Sequence, residues 1–485
     1  MKLPALLRAA VAAPSAAVST LALAALALTG CAVQRPPAQV AVPMPPAWQA
    51  PLPHGGSVAR LGAWWQEHLP DPLLAGLIAD AQALSPDVAQ ARAQLLQARA
   101  QQVAARSALL PQVDGQASAS RGFNEQLGAL ATVAQAGVQA GWEADLFGRS
   151  GAQADAARER SDGARAQWHA ARVSVAAEVA QQYSNWQYCT RQLAVAEADA
   201  RSRGETARLS AESERAGFTA PATAALASAS HADALVRVAQ QRLQCEIGVK
   251  ALVALTGRGE PPLREQLAAA PALQPQQALF AIERLPAAVL VQRPDLYAAE
   301  REVAAASAEV GAARAERYPR LQLTGSIGRG WVSTSLGNTA SNTWSIGPVA
   351  LTVPLFDGGR RAAQVEAAQA RYESAATRFR ALARQAVAEV EQALERLDST
   401  AQRSSDAERA AAGYRRSFEA TQARWSAGLA SLVELEDARR TQLASETALV
   451  ALQQERMAAW IALYRAAGGG WDPAAAPQAE APPPA

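Results

Sequence analysis

The feature that most constrains this chain of 485 residues is an internal repeat at an offset of 208 residues. The segment SPDVAQARAQLLQARAQQVAARSALLPQV at 85–113 returns as RPDLYAAEREVAAASAEVGAARAERYPRL at 293–321. Pro86-Asp87 recurs as Pro294-Asp295, and Pro111 recurs as Pro319. Length alone allows about three domains, but a repeat of this period predicts two copies of one unit, at 61–257 and 292–466.

Each copy begins with a helix and continues with strands. The helices, predicted at 87–109 and 295–317, open with Pro-Asp and end before a proline that cannot continue a helix. Apolar residues then alternate with polar ones, as in Val138, Ala140 and Trp142, which is typical of a strand. The predicted strands are 112–123, 136–147, 320–330 and 343–356. Gly- and Ser-rich loops are expected at 122–136 and 329–343, and a phase shift at Gly347-Pro348 predicts a bulge.

Two long helices follow each predicted hairpin. The expected pairs are 149–215 with 221–257, and 359–426 with 430–466. Each pair turns at one glycine, Gly217 or Gly428. At 1.5 Å per residue, roughly 65 helical residues extend about 100 Å, which exceeds an ordinary globular domain. The segment 258–291 is predicted to be a linker, and 467–485 a disordered Ala/Pro tail.

Composition agrees with long, closely packed helices. Apolar residues make up 49% of the chain, but aromatic residues only 5%, which favours thin Ala-rich helices over a thick core. The formal net charge is +2, with acidic and basic residues spread along the chain. This balance argues against nucleic acid as a partner.

The N-terminus predicts an outer-membrane lipoprotein. Lys2 and Arg8 precede the apolar run TLALAALALTGC, which suits a signal peptide at 1–30 and is short for a membrane span. The end of this run resembles the lipobox of bacterial lipoproteins, which implies a covalent lipid at Cys31 and no other cofactor. Ala32, where Asp commonly marks inner-membrane retention, implies the outer membrane. The alternative is an ordinary signal peptide with a chance cysteine. The Pro-rich segment 31–60 is expected to be an extended tether.

The strands constrain the assembly. Strands of about ten residues with one apolar face fit a membrane-spanning barrel, and the soluble alternative is a small covered sheet. Four strands cannot close a barrel, and open edges in hydrocarbon would leave backbone groups unpaired at several kcal/mol each. If the strands cross a membrane, copies must share one barrel. Two copies would give eight strands and three would give twelve, and a pore favours three or more.

Several motifs, in order, resemble one family. The lipobox, WWQEHLPDPLLAGLIADAQALSPDV, LPAAVLVQRPDLYAAEREVAAASAEVGAARAERYPRLQL and VPLFDGGRRAAQVEAA are similar to outer-membrane efflux factors of the TolC-like superfamily, in the lipoprotein (NodT-type) branch. The resemblance covers nearly all of 31–466. It implies a mainly α fold with a membrane β-barrel, in which a homotrimer forms a twelve-stranded barrel and a twelve-helix periplasmic tunnel. The implied partners are a periplasmic adaptor protein, an inner-membrane resistance-nodulation-division pump and outer-membrane lipids.

The resemblance also implies an aperture near the helical turns. Glu434 and Asp437 match, by their distance from the second turn glycine, the acids that line the closed aperture in the family. Three copies would gather up to six carboxylates, whose mutual repulsion raises some pKa values and attracts cations. The alternative is a solvated helix face. Trp425 matches an aromatic residue of the family's clasp, whereas Ala430 and Thr223 replace its Arg and Asp, so the latch differs.

The turns themselves resemble the tips onto which the adaptor docks. These tips are Gly217-Phe218 and Gly428-Leu429. The alternative is that the glycines only make the turns, and both roles can hold, because glycine also lets a partner backbone approach closely.

Two cysteines are placed to meet in the first helical pair. Cys189 lies 28 residues before Gly217, and Cys245 lies 28 after it, so an antiparallel hairpin brings them level. In an oxidising periplasm a disulfide is one outcome, and two buried thiols are the other. Neither cysteine has a nearby His or second Cys, so a metal site is not expected.

Catalysis has little support in the sequence. The histidines at 54, 68, 169 and 231 share no metal-ligand spacing, and the chain has no nucleophile elbow or phosphate loop. The sequence therefore predicts a passive trimeric duct of a tripartite pump for small molecules, namely drugs, toxic compounds or metal ions. The alternatives are a duct for type I protein secretion, a periplasmic coiled-coil structural lipoprotein, and an envelope hydrolase whose catalytic residues are not found. The transported substrate is not encoded in any motif.

Overall fold

A computed structural model describes residues 33–42, 48–50, 71–125, 128–271, 293–335 and 337–471. The signal peptide and Cys31 lie outside these residues. The first copy contains α1 (Pro72–Leu84), α2 (Pro86–Ser107), β1 (Gln112–Asn124), β2 (Ala129–Ala144), α3 (Arg149–Arg215) and α4 (Pro221–Thr256). A short helix, α5 (Glu260–Ala269), follows. The second copy contains α6 (Pro294–Ala315), β3 (Arg320–Thr334), β4 (Gly337–Thr352), α7 (Arg360–Ser426) and α8 (Leu432–Ala466).

The described residues within the following ranges form two compact units. One, here named the strand unit, comprises residues up to 41, 94–164 and 298–379. The other, the helix unit, comprises 42–93, 165–297 and 380–485. None of the described helices has an apolar stretch long enough to cross a membrane.

The strand unit contains a four-stranded antiparallel sheet in the order β1-β2-β3-β4. Both hairpins therefore join through the β2–β3 pair. Val138 pairs with Ile327, which pairs with Trp344, and all three side chains are exposed on one face. On the opposite face the hydroxyl oxygens of Ser326 and Ser345 lie 2.9 Å apart. The sheet thus has an apolar exposed face and a polar face, as the alternation predicts.

The predicted bulge is confirmed, but the predicted loops are wrong. The β3–β4 register shifts between Leu323 and Gly325, opposite Gly347-Pro348. The strands continue through most of the expected loops, to the pairs Asn124–Ala129 and Thr334–Gly337. Glycine and serine content was misleading there, because pairing with the neighbouring strand outweighs local propensity.

Two strands end earlier than predicted for local reasons. β2 stops at Ala144 because the carboxylate of Asp145 accepts the N–H groups of Ser150 (3.0 Å) and Gly151 (2.6 Å) and so starts α3. β4 stops at Thr352, two residues before Pro354, which has no N–H for the ladder.

The helix unit has one large apolar core. Buried side chains from α1, α3, α4, α5, α7 and α8 meet there, including Leu77, Tyr183, Leu252, Leu394 and Trp460. Two further segments contribute to this core, although the sequence predicted a linker and a disordered tail there. Leu263 and Leu267 of α5 are buried in this core.

The start of the predicted tail is also ordered. Ala467 is buried, and a 3-10 turn, Gly468–Gly470, follows it. Gly469 has φ 63°, and a Cβ atom there would lie 2.6 Å from the Val173 side chain. The expectation of disorder is therefore wrong for 467–471, because a glycine run packs where side chains cannot.

The repeated RPD motif anchors the second copy. Arg293 is buried, forms ion pairs with Asp295 (2.7 Å) and Glu389 (2.8 Å), and donates to the carbonyl of Ala466 (2.9 Å). It therefore links the start of α6 to α7 and to the end of α8. In the first copy Ser85 holds the equivalent place, and among the described residues its hydroxyl accepts only the N–H of Val88 (3.3 Å).

The N-terminal segment is extended, but it is not a free tether. Arg314 donates to the carbonyl of Gln34 (2.7 Å), and Tyr372 donates to that of Pro37 (3.0 Å). Arg35 also pairs with Asp155 at 3.2 Å. Residues 33–41, named the strap below, thus lie docked on helices of the strand unit, which the Pro-rich composition did not predict.

Candidate functional site

The turn between the long helices has the same construction in both copies. At the end of α3, Gly217 donates to the carbonyl of Glu214 (2.9 Å) and Phe218 to that of Ser213 (2.9 Å). Gly428 and Leu429 repeat these bonds at the end of α7. Both glycines have positive φ, 78° and 73°. This is the Schellman motif, in which a left-handed glycine satisfies the last carbonyls of a helix.

The turns are open to approach from outside the chain. Phe218 is 87% exposed and Leu429 is 70% exposed. A Cβ atom built on Gly217 or Gly428 would meet nothing within 4 Å. The predicted adaptor tips therefore present apolar side chains and uncovered backbone.

The helices that leave the two turns begin differently. The Ser431 hydroxyl accepts the N–H of Glu434 (3.1 Å), and the Glu434 carboxylate accepts the N–H of Ser431 (2.6 Å). This capping box satisfies two free N–H groups at the start of α8. At the start of α4, Ala220 makes no side-chain cap, and Pro221 stands at the first helical position. The second turn is therefore the more firmly closed by local bonds.

The two predicted aperture acids lie on an exposed side of α8. Asp437 forms an ion pair with Arg440, and both side chains are exposed. Hydrogen bonds from Ser431 lower the pKa of Glu434 below its ordinary value. In a single chain the pKa of Glu434 is thus lowered, whereas clustering of six carboxylates would raise some pKa values. Such clustering requires three copies of the chain. The aperture role of these residues stays a prediction.

A buried group of charges, here named the clamp, lies on the other side of α8. Its members are Asp199 and Arg203 of α3 with Glu436 and Arg439 of α8. The Arg203 guanidinium holds Asp199 at 2.9 Å and also contacts Glu436. Glu436 in turn contacts Arg439. The clamp therefore joins the first helical pair to the second within one chain.

Polar side chains complete the clamp. The hydroxyl of Ser230 on α4 donates to Glu436 at 2.7 Å. Arg439, only 2% exposed, donates to the hydroxyls of Ser202 (3.1 Å) and Thr206 (2.9 Å). Burial lowers the pKa of the Arg439 guanidinium, although Glu436 opposes this shift. Two charges of each sign thus lie together in a mostly dry place, where each depends on its partners.

The clamp adjoins a small apolar core near the turns. Leu432 and Leu435 of α8 pack there with Phe418 of α7 and Ala227 of α4, and Trp425 is partly buried against them. Trp425 therefore packs within its own chain. Sequence reasoning missed Glu436 and Arg439, although their spacing of three and their place between apolar residues of ELEDARR was the available signal.

The two predicted cysteines come together in the first helical pair. Cys189 of α3 and Cys245 of α4 are bonded in the structure, with Cα atoms 5.5 Å apart, which is within the range that a disulfide spans. The described part of the chain holds no group of three His, Cys, Asp or Glu side chains placed for a metal ion. Cys31, the predicted lipidation site, lies outside the described residues.

Comparisons with known proteins agree on one family. The family model described as outer membrane efflux protein matches residues 77–258 and 285–469, that is, both copies of the repeat. The outer membrane protein OprJ of Pseudomonas aeruginosa is 30% identical over 95% of this chain and 97% of its own length. The cation efflux system protein CusC of Escherichia coli is 28% identical over 92% of this chain and 97% of its own length.

A solved structure supports the same assignment. The crystal structure of the open state of the MtrE outer membrane channel of Neisseria gonorrhoeae superposes with a TM-score of 0.76. It is 26% identical and covers 90% of this chain and 98% of that chain. The similarity extends over nearly the whole length of both proteins.

Proposed function

Because the chain belongs to the outer membrane efflux protein family, we propose that it is the outer-membrane duct of a tripartite efflux pump. It carries small molecules, such as drugs, toxic compounds or metal ions, and performs no chemistry itself. The observation that carries this proposal is the family match across both repeats, together with a sheet whose exposed face is apolar. That face suits the hydrocarbon of a membrane.

The assembly is a homotrimer. Each chain supplies four strands, and β1 and β4 are the outer strands of the sheet. In a membrane these edges must be paired, because hydrocarbon offers their N–H and C=O groups no partners. Three copies, with β1 of one beside β4 of the next, close twelve strands around a pore. The helical pairs of three copies form the tunnel.

The partners are a periplasmic adaptor protein and an inner-membrane pump of the resistance-nodulation-division type. The adaptor contacts the turns at Gly217-Phe218 and Gly428-Leu429. Exposed apolar side chains beside glycines with free space suit a partner helix that approaches the backbone closely. The inner-membrane pump supplies the energy for transport, and the duct is passive.

The aperture is formed by Glu434 and Asp437 from three copies. Its opening is the controlled step. The ring of carboxylates attracts cations and repels anions at the constriction. The clamp holds the two acids in place. Glu436 and Arg439 fix the rotation of α8 about its axis, and that rotation sets the direction in which Glu434 and Asp437 point.

Lipid modification at Cys31 anchors the duct in the outer membrane. The acyl chains add to the hold of the barrel, since each buried methylene contributes about 0.8 kcal/mol. Mass spectrometry of the mature N-terminus tests this part of the proposal. We expect a diacylglyceryl and an acyl group on Cys31, and an unmodified N-terminal residue there would contradict it.

The duct itself is tested by deletion and by conductance. Deleting the gene should lower resistance to the exported compounds, and the wild-type gene should restore it. In planar bilayers, the Glu434→Ala/Asp437→Ala double variant should conduct more in the resting state and be blocked less by divalent cations. A matched Asp406→Ala/Glu419→Ala variant changes two exposed acids of α7 that are not among the predicted aperture residues. Unchanged cation block in the first variant would refute the aperture, and no conductance from the wild type would refute the duct.

A further inference from the structure

The helices and strands of the strand unit join along one edge of the sheet. The register pairs Gln112 with Gly141 and Arg320 with Thr352. It follows that β1 begins, β2 ends, β3 begins and β4 ends on the same side. The four connections to α2, α3, α6 and α7 therefore lie at this edge, here named the helix edge. The hairpin turns after Asn124 and Thr334 lie at the opposite edge, named the turn edge.

Arginines are concentrated at the helix edge. Segments 106–114, 143–151, 314–321 and 352–361 contain seven arginines, whereas the turn-edge segments 121–131 and 329–340 contain two. Three of the seven have partners: Arg149 pairs with Glu143 (3.0 Å), Arg361 with Asp357 (2.8 Å), and Arg314 donates to the strap.

Of the other four, Arg106, Arg317 and Arg360 are named the arginine collar, whereas Arg320 lies with Ser326 on the polar face of β3. None of these four arginines forms an ion pair with another residue that the structure describes. Arg106, Arg317 and Arg360 are exposed, and Arg320 is half-buried.

Acidic residues do not cancel the collar. Of the five carboxylates in the same segments, Glu143 and Asp357 are already paired with arginines, and Asp145 caps α3. Asp114 and Glu316 remain against four guanidinium groups that have no ion-pair partner among the described residues. The helix edge therefore keeps an excess of positive charge that the described residues do not neutralise.

Exposed apolar side chains border the collar on the sheet side. They are Leu110, Val113, Leu351 and Phe356, the last of which is 93% exposed. An apolar band followed at once by arginines is the pattern of a surface that passes from hydrocarbon into the headgroup layer of a membrane.

The strap limits how far the proposed lipid can lie from Arg314. Three residue steps separate Cys31 from Gln34, so their Cα atoms lie at most about 11 Å apart. Gln34 is held by Arg314, which is the repeat counterpart of the collar residue Arg106 and lies three residues before Arg317. Acyl chains on Cys31, the proposed lipidation site, would therefore start within about 11 Å of the Gln34 Cα atom.

From the collar, its apolar border and the length of the strap, we propose that the arginine collar binds the phosphate groups of anionic phospholipids, of the phosphatidylglycerol type. The lipids belong to the leaflet that takes up the acyl chains of Cys31. Guanidinium groups suit this ligand because they donate two parallel N–H bonds to phosphate oxygens. Bound headgroups would fix the depth of the barrel in the membrane. This inference rests on the proposed outer-membrane function.

The test uses the full-length lipidated protein in vesicles of phosphatidylcholine containing about 30% phosphatidylglycerol. Native mass spectrometry counts the phosphatidylglycerol molecules that the assembly retains after extraction. For the Arg106→Gln/Arg317→Gln/Arg360→Gln variant we expect retention relative to phosphatidylcholine to fall at least tenfold, since each exposed arginine attracts anionic lipid. The matched control, Arg121→Gln/Arg329→Gln, removes positive charge at the turn edge and should retain the wild-type number.

Three results would overturn the proposal. They are equal retention by the collar variant and the wild type, equal loss in the control variant, and wild-type protein that retains both lipids alike. Single-channel conductance separates this question from the proposed function. A collar variant that conducts normally but loses phosphatidylglycerol supports the lipid site. Wild-type protein that retains the lipid but does not conduct would contradict the duct and leave the lipid site supported.

Discussion

Neighbouring charges on α8 differ in burial, and burial determines how much each contributes to stability. Glu436 and Arg439 lie in the clamp, whereas Glu434 and Asp437 lie on the exposed side. Exposed ion pairs contribute little to stability because water already solvates both partners. A buried charge that loses its partner costs several kcal/mol, because nothing replaces the lost interaction. Neutralising the buried Glu436 and neutralising an exposed acid such as Asp437 should therefore change the stability by very different amounts.

Neutralising Glu436 should loosen the contact between α3 and α8. Glu436→Gln leaves Arg203 and Arg439 buried without their shared carboxylate, so local opening should become easier by about 3–5 kcal/mol. Hydrogen exchange of the amides around Arg203 measures this opening. Asp437→Asn, one residue away on the exposed side, is the control and should change the exchange little. Equal exchange in the two variants would contradict the clamp.

The capping box predicts a pH dependence at the second turn. Hydrogen bonds from Ser431 lower the pKa of Glu434 below its ordinary value of 4.5. Its stabilisation is therefore complete above that value and is lost as the pH falls through the lowered pKa. Relative to the intrinsic rate of unprotected amides at the same pH, hydrogen exchange at the start of α8 should speed up below pH 4.5 in the wild type. Ser431→Ala should raise this exchange roughly fivefold at neutral pH and weaken its pH dependence, and an unaltered pH profile in that variant would count against the box.

Among the helical elements, the first and second pairs have the same type of turn but differ in cross-linking. Cys189 and Cys245 join α3 to α4. At the same distances of 28 residues from Gly428, the second pair has Thr400 and Arg456. Only the first pair therefore carries a covalent constraint along its length.

Removing the disulfide should destabilise only the first pair. The bond closes a loop of 56 residues, for which chain entropy predicts a contribution of about 4 kcal/mol. Non-reducing peptide mapping should first recover the two cysteines in one linked peptide. In the Cys189→Ser/Cys245→Ser variant, hydrogen exchange should then rise in α3 and α4, while α7 and α8 serve as the internal control. Two separate free-thiol peptides would show that the bond does not form.

The turn glycines can be tested without breaking the turns. Asparagine tolerates positive φ, and a Cβ atom at Gly428 would meet nothing within 4 Å in its own chain. We therefore expect Gly428→Asn to keep the trimer but to lose cross-linking to the adaptor, because the side chain obstructs only a partner. Gly413→Asn, on α7 and also in open space, is the matched control. Normal adaptor cross-linking by the Gly428 variant would refute the docking role.

For the whole molecule, the sheet decides both the membrane contact and the assembly. Its apolar face cannot be covered by the four strands of one chain, and its outer strands are open. Closure by further copies satisfies both requirements, because the apolar face then meets lipid and the edges meet each other.

A charge on the apolar face should therefore prevent assembly. Ile346→Arg places a guanidinium on the exposed apolar face of β4, which should destabilise the inserted barrel by about 2–4 kcal/mol near the middle of the membrane. Ser345→Arg is the control, because the neighbouring residue points to the polar face. Heat-modifiable trimer on gels should be reduced in the first variant and retained in the second. Equal amounts of trimer in both would contradict the assignment of the faces.

The sequence by itself determined the features that depend on local periodicity. The period of two revealed the two faces of the sheet, and the period of 3.6 with its ending glycines revealed Gly217 and Gly428. The distances of Cys189 and Cys245 from one turn were enough to place them level. Two copies of one unit followed directly from the repeated motif. Each of these features is visible either within a short segment or from the number of residues between two positions.

Only the tertiary structure decided which distant groups meet. The partners in the clamp, Arg203 and Glu436, are 233 residues apart, and no spacing along the chain predicts their contact. The Pro-rich sequence of the strap predicts a free tether, whereas the structure shows it bound through Arg314. The strands passed through Gly- and Ser-rich segments because a neighbouring strand supplied their hydrogen bonds. Local patterns establish what an element is, whereas burial and pairing between remote segments determine what each of its side chains does.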